Sequence, residues 1–197
     1  MQTYSHLLMT ALAGDRLKKR NVPVSTKALL LGSVLPDLAL FVLTAWFIVY
    51  YRLMAPQGLS NDSVFGTLYD ELFFHNPIWI VGHNFFHAPP ILAVFGMAGY
   101  MGARRGWRWG WPLVWLMVGC GLHTAVDIFT HHNDGPLLLF PFDWQMRFSA
   151  PVSYWDVRHG ARIVAPLEHA MDVAIIAYLV WTWLRARRAR ARAIASP

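Results

Sequence analysis

Residues 111–131 read WPLVWLMVGCGLHTAVDIFTH, an apolar run in which His123, Asp127 and His131 recur at intervals of four. About 20 mostly apolar residues in a helix cross the hydrocarbon of a bilayer, so this stretch is long enough to span. An ionisable group at that depth costs about 3 kcal/mol or more and needs a partner, a water cavity or an ion. A spacing of four puts all three side chains on one helical face. The segment therefore reads as a transmembrane helix carrying a polar site.

Three further windows have the same character: 28–51, 77–102 and 164–184. The whole chain agrees. Of its 197 residues 56% are hydrophobic and only 14% charged, with a mean hydropathy of +0.35, whereas soluble domains carry about 25% charged residues. The expected fold is an all-α integral membrane bundle of about four transmembrane helices, with a short amphipathic helix over Met1–Gly14. The composition excludes disorder, and the single Cys120 excludes an intrachain disulfide framework or a thiolate metal cluster.

The net charge of +6 could suggest nucleic acid, but the cations sit beside apolar stretches. Thirteen of the 17 Lys and Arg residues precede the first span, join the second to the third, or follow the fourth. By the positive-inside rule both termini face the cytoplasm. The chain reads as one membrane-embedded domain over 1–197, with an N-terminal cytoplasmic or interfacial segment (1–27) and a basic tail (185–197). The 52–76 connection, with Pro56, Gly58, Asn61, Asp62 and Gly66, reads as an outer loop with a short helix near Tyr69–Phe74. The aromatic 132–163 connection is expected to pack over the outer end of the bundle.

Polar residues recur in every span. The first holds Gly32-Ser33-Val34-Leu35-Pro36-Asp37, where the proline removes a backbone donor. The second holds His83 and His87, the third His123 and Asp127, with His131 and His132 just beyond, and the fourth Glu168 and Asp172. At about 1.5 Å per residue, Asp37, His83, His87, His123 and Asp127 share the middle to outer half of the bilayer. Imidazole and carboxylate without thiolate suit Zn²⁺, Mn²⁺ or Fe²⁺, and so many ligands suggest two or three ions bridged by carboxylates. A bundle glued by buried His–Asp hydrogen bonds is the simplest alternative, but glue requires no matched spacing and depth. His75 and His159 read as loop or interfacial residues, and the tryptophans as interfacial anchors.

These motifs resemble a known family. Gly32–Asp37, then His83-x-x-x-His87, then His123–Thr130 running through Gly135 to Leu139-Phe140-Pro141-Phe142 are similar to the YdjM-like membrane-bound metal-dependent hydrolases, a family in turn similar to the zinc-dependent phospholipase C and single-strand nuclease superfamily. The resemblance covers roughly residues 1–142, with Glu168 and Asp172 at the spacing of that superfamily's last ligand pair. It implies metal ligands at His6, Asp37, one or both of His83 and His87, His123 and Asp127. The chain departs from the family pattern at Ala39, where a carboxylate is usual, and at Asn84, where an arginine is usual.

The expected function is a bacterial-type inner-membrane hydrolase acting on a membrane lipid or other lipid-like ester, preferably a phosphoester, through a His/Asp zinc centre. Asp127, Glu168, Asp172 and His131 are the candidate catalytic groups. His6, Asp37, His83, His87, His123, Asp127 and His132 are the candidate ligands. Two other classes compete: a haem protein with axial His83, His123 or His169, and a metal or proton transporter, since intramembrane acids and histidines also mark ion pathways.

Overall fold

The chain is described by a computed structural model covering the backbone of residues 1–53 and 63–195. Its described residues form α-helices and no strand: α1 (Thr3–Lys19), α2 (Thr26–Gly32), α3 (Leu35–Leu53), α4 (Tyr69–His75), α5 (Pro77–Asn84), α6 (Pro89–Arg104), α7 (Gly110–Thr130) and α8 (Ala161–Ala195). The turn residues Pro56, Gly58, Asn61 and Asp62 lie outside the described residues; Gly66 falls in the π-helical turn Ser63–Leu68 that leads into α4.

The all-α membrane bundle is what the sequence predicts, with one correction. Among the described residues, only α7 and the first 31 residues of α8 are each single helices long and apolar enough to cross a membrane. The expected spans 28–51 and 77–102 are both broken: α2 meets α3 at 45°, and α5 meets α6 at 49°. The prolines give the reason. Pro36 lies in the first turn of α3, and Pro89 and Pro90 open α6, where a ring without N–H is tolerated but could not continue a preceding helix. Irregular backbone at membrane depth is viable only where protein buries it or a cavity needs it. Both breaks face α7.

The N-terminal helix is present and longer than expected, running through the basic stretch to Lys19. It lies parallel to α8: Gln2 meets Glu168, Ser5 meets Asp172, and Lys19 meets Tyr178. Packing against α6 and α7 centres on Leu92, Met117 and Cys120; a second cluster, Phe47 and Trp79, joins α3 to α5. Outward-facing side chains are apolar, including Phe41, Val94, Leu167 and Val173, as a lipid-facing surface requires. The 132–163 connection folds back over the cluster end of the bundle, with Tyr154 N–H donating to the Thr130 carbonyl.

Asn84 secures that cover. Wholly buried at the end of α5, it donates to the Ile80 carbonyl at 2.8 Å and accepts from Leu137 N–H at 2.7 Å. An Asn84→Ala change strands both groups in a dry interior, which costs about 1–3 kcal/mol. The expected result is a melting temperature several degrees lower, read by thermal unfolding in detergent.

Candidate metal centre

The two breaks deliver carbonyl oxygens to two histidines. His123 Nδ1 lies 2.8 Å from the Ser33 carbonyl at the α2–α3 break, and His87 Nδ1 lies 2.5 Å from the His83 carbonyl at the α5–α6 break. A carbonyl only accepts, so each Nδ1 carries the proton, which leaves Nε2 of the neutral ring its lone pair. This is how ligating histidines are usually oriented.

Both lone pairs point at the same place. His87 Nε2 and His123 Nε2 stand 3.2 Å apart. Asp37 Oδ1 lies 3.3 Å from His123 Nε2 and 3.8 Å from His87 Nε2, and Asp127 Oδ2 lies 3.0 Å and 3.5 Å from the same two atoms. Ligands about 2.0–2.1 Å from a tetrahedral ion are separated by roughly 3.3 Å. The four residues, all of whose donor atoms lie within 4.8 Å of one another, therefore have the spacing of a cation's coordination shell. Two facing imidazole lone pairs beside two carboxylates are self-repelling unless a positive charge stands among them. Residues of this set fit a divalent ion. It is the one such group among the described residues.

The carboxylates' outer oxygens are held by α1. Asp37 Oδ2 accepts from Thr3 Oγ1 at 2.5 Å. Asp127 Oδ1 faces His6 Nε2 at 3.0 Å, and the His6 ring stacks on His123 with centroids 3.7 Å apart. The Met1 amine also reaches Asp127 Oδ1, at 3.1 Å. Thus α1 supports the cluster, and Glu168 and Asp172 hold α1: Glu168 accepts from Gln2 N–H at 2.7 Å and Asp172 from Ser5 Oγ at 2.8 Å.

The whole length of this framework matches a family model. Residues 1–192 match the model of the YdjM inner membrane protein. The chain belongs to that family. No curated protein and no solved structure matches it.

Within this YdjM-family chain the remaining candidates take other places. His83 is outside the four-residue group: its ring lies against both Phe73 and His87, with centroids 4.9 and 4.6 Å away. His131 Nδ1 lies 2.9 Å from Asp134 Oδ2, and its Nε2 lies 3.2 Å from the Met1 amine and 3.5 Å from Asp127 Oδ1. His132 is off the cluster, its Nδ1 donating to the Ala150 carbonyl at 2.6 Å and its ring stacked on His159. His169 is exposed beside Tyr4. Ala39 faces Gly82 of α5, so the family's second carboxylate position points away from the Asp37 side chain.

A chamber of about 730 Å³ opens beside the cluster. One wall is apolar, with Leu40 and Phe41 of α3 and Phe73 and Phe74 of α4; the other is polar, with Asp127, His131 and Asp134. Thr3, Asp134 and the Ser33 carbonyl are the parts of the site that sequence reading missed. Asp134, three residues after His131, was the one with a visible signal.

Proposed function

We propose that this protein is a membrane-embedded metal-dependent hydrolase of a lipid-like phosphoester, with zinc as its resident ion. The observation that carries the reading is the convergence of Asp37, His87, His123 and Asp127 at the edge of a chamber with one apolar and one polar wall. Zinc suits a four-donor set of imidazole and carboxylate at this spacing. When bound it supplies Lewis-acid polarisation of a phosphoryl oxygen. The protein's own groups do the rest. The Leu40–Phe41 and Phe73–Phe74 faces take an acyl chain, and His131, held by Asp134 through Nδ1 and by the Met1 amine and Asp127 at Nε2, stands at the polar wall as the group that exchanges a proton there. Glu168 and Asp172 act through α1 as positioning residues.

The basic segments stand at the far ends of α1, α6, α7 and α8 from the cluster, which supports a cytoplasmic basic end and a cluster in the outer half of the bilayer. Two observations weigh against the rival classes. His123, one of the three candidate axial ligands, has His87 Nε2 at 3.2 Å and Asp127 Oδ2 at 3.0 Å from its Nε2, which leaves no room for a macrocycle on that nitrogen. Toward the basic end, Leu29 and Cys120 are fully buried where α2 crosses α7, which weighs against an ion path through the bundle.

The test is turnover by the full chain in maltoside micelles, with short-chain phosphatidate and phosphatidylglycerol as substrates. Hydrolysis that chelation abolishes and zinc restores is expected, and Asp37→Asn is expected to slow it at least 100-fold. Full metal occupancy without release of product from either ester would reject the assignment.

A further inference from the structure

Two polar groups in or beside the chamber wall have hydrogen-bonding capacity that the described residues do not use. His83 lines the chamber and is 7% exposed, yet neither of its ring nitrogens has a hydrogen-bond partner. Buried polar groups are normally paired, and an unpaired one in a cavity wall marks a place for a ligand. The second group is Arg147. Its half-buried guanidinium stands 5.8 and 5.7 Å from the ring centroids of Phe73 and Phe74, both chamber residues, and donates to the Gly135 carbonyl. It makes no ion pair among the described residues. A guanidinium has five N–H donors, so most of its capacity is unspent.

The neighbouring charges are partly committed. Arg158 is paired through two nitrogens with Asp156, at 3.1 and 2.9 Å. Asp134 Oδ2 accepts from His131 and from Trp155 Nε1, each at 2.9 Å, while its Oδ1 has no hydrogen-bond partner. Arg147 thus keeps unspent donors beside two chamber residues, and Phe73 lies against both it and His83.

We propose that His83 and Arg147, both against Phe73, form an anion subsite that holds the phosphate headgroup of a membrane lipid whose chain runs along Leu40, Phe41 and Phe74. A neutral imidazole offers one N–H to a phosphate oxygen, and a guanidinium offers two in a planar fork. This gives His83 a role in binding substrate instead of metal. The inference rests on the amphiphilic-ligand part of the proposed function and does not require hydrolysis.

Equilibrium binding of dihexanoyl phosphatidate and of uncharged dihexanoylglycerol to the full chain, both as purified and after chelation, tests it. Wild-type protein is expected to bind phosphatidate at least tenfold more tightly than the diacylglycerol, in both states. His83→Gln and Arg147→Gln should each reduce that preference at least threefold, with diacylglycerol binding and metal content unchanged. His83→Gln keeps the backbone carbonyl that orients His87, so loss of metal in that variant would make His83 a ligand and overturn the proposal. So would an unchanged preference in either variant, or an equal loss for both lipids. If Arg147→Gln does not fold, His83→Gln decides alone. The chelated protein cannot turn over by a metal route, so its binding reports the subsite alone; binding by the metal-loaded protein without hydrolysis would refute the enzyme and leave the subsite standing.

Discussion

His123→Ala is expected to empty the metal centre. Elemental analysis of the purified variant should find less than a tenth of the wild-type divalent metal, and zinc titration should show affinity weakened at least 100-fold. His123 touches every other member of the cluster, at 3.0–3.3 Å from Asp127, His87 and Asp37, and is itself fixed by the Ser33 carbonyl. Its loss removes a donor and frees the two carboxylates to repel one another across an unfilled gap. Losing an outer contact that merely orients a ligand costs 10–100-fold in affinity. Thr3→Val, which deprives Asp37 Oδ2 of its hydroxyl partner, should fall in that milder range. Wild-type metal content in His123→Ala would leave the four residues as a hydrogen-bonded knot and remove the basis for the proposed activity.

The sequence made α7 legible because its signal is redundant: length, apolarity and the His123–Asp127 spacing all indicate one buried face. Asp37 and His87 were equally visible as ionisable groups at membrane depth. Their local backbone was not, because hydropathy windows ignore where a proline interrupts the hydrogen-bond ladder; Pro89 and Pro90 were the overlooked sign of the second break. The break matters chemically, since it turns a helical carbonyl into the acceptor that fixes an imidazole, and no side chain announces that.

For α1 the difficulty was the solvent. This helix buries Ser5, His6, Thr10 and Gly14. An apolar stripe marks the inward face of a helix in water, but inside a bilayer the polar stripe turns inward, and α1 presents its small and polar side to α7 and α8. Read that way, Thr3, His6 and Thr10 mark the face that supports the cluster. Glu168 and Asp172 show the converse ambiguity. Their spacing of four is compatible with an ion-binding pair, yet the same spacing lets one face of α8 accept Gln2 N–H and Ser5 Oγ from successive turns of α1.

The crossing of α2 and α7 is where a small change should cost most in stability. A Cβ added at Gly119 would collide with the Leu29 carbonyl oxygen, and one added at Gly32 with the Leu116 carbonyl oxygen. These are backbone atoms and cannot rotate aside, so the helices must separate. Close approach through small residues is the usual way membrane helices pack without a hydrophobic drive between them. Overpacking of this kind costs about 1–3 kcal/mol. It also pulls Ser33, one residue beyond Gly32, away from His123 Nδ1. Gly119→Ala is therefore expected to lower the thermal midpoint by several degrees and to weaken metal binding at least tenfold. Gly121→Ala, two residues along the same helix with nothing within 4 Å of its Cβ, should leave both unchanged. Equal behaviour of the two variants in thermal unfolding and zinc titration would show that the α2–α7 contact does not set the position of His123.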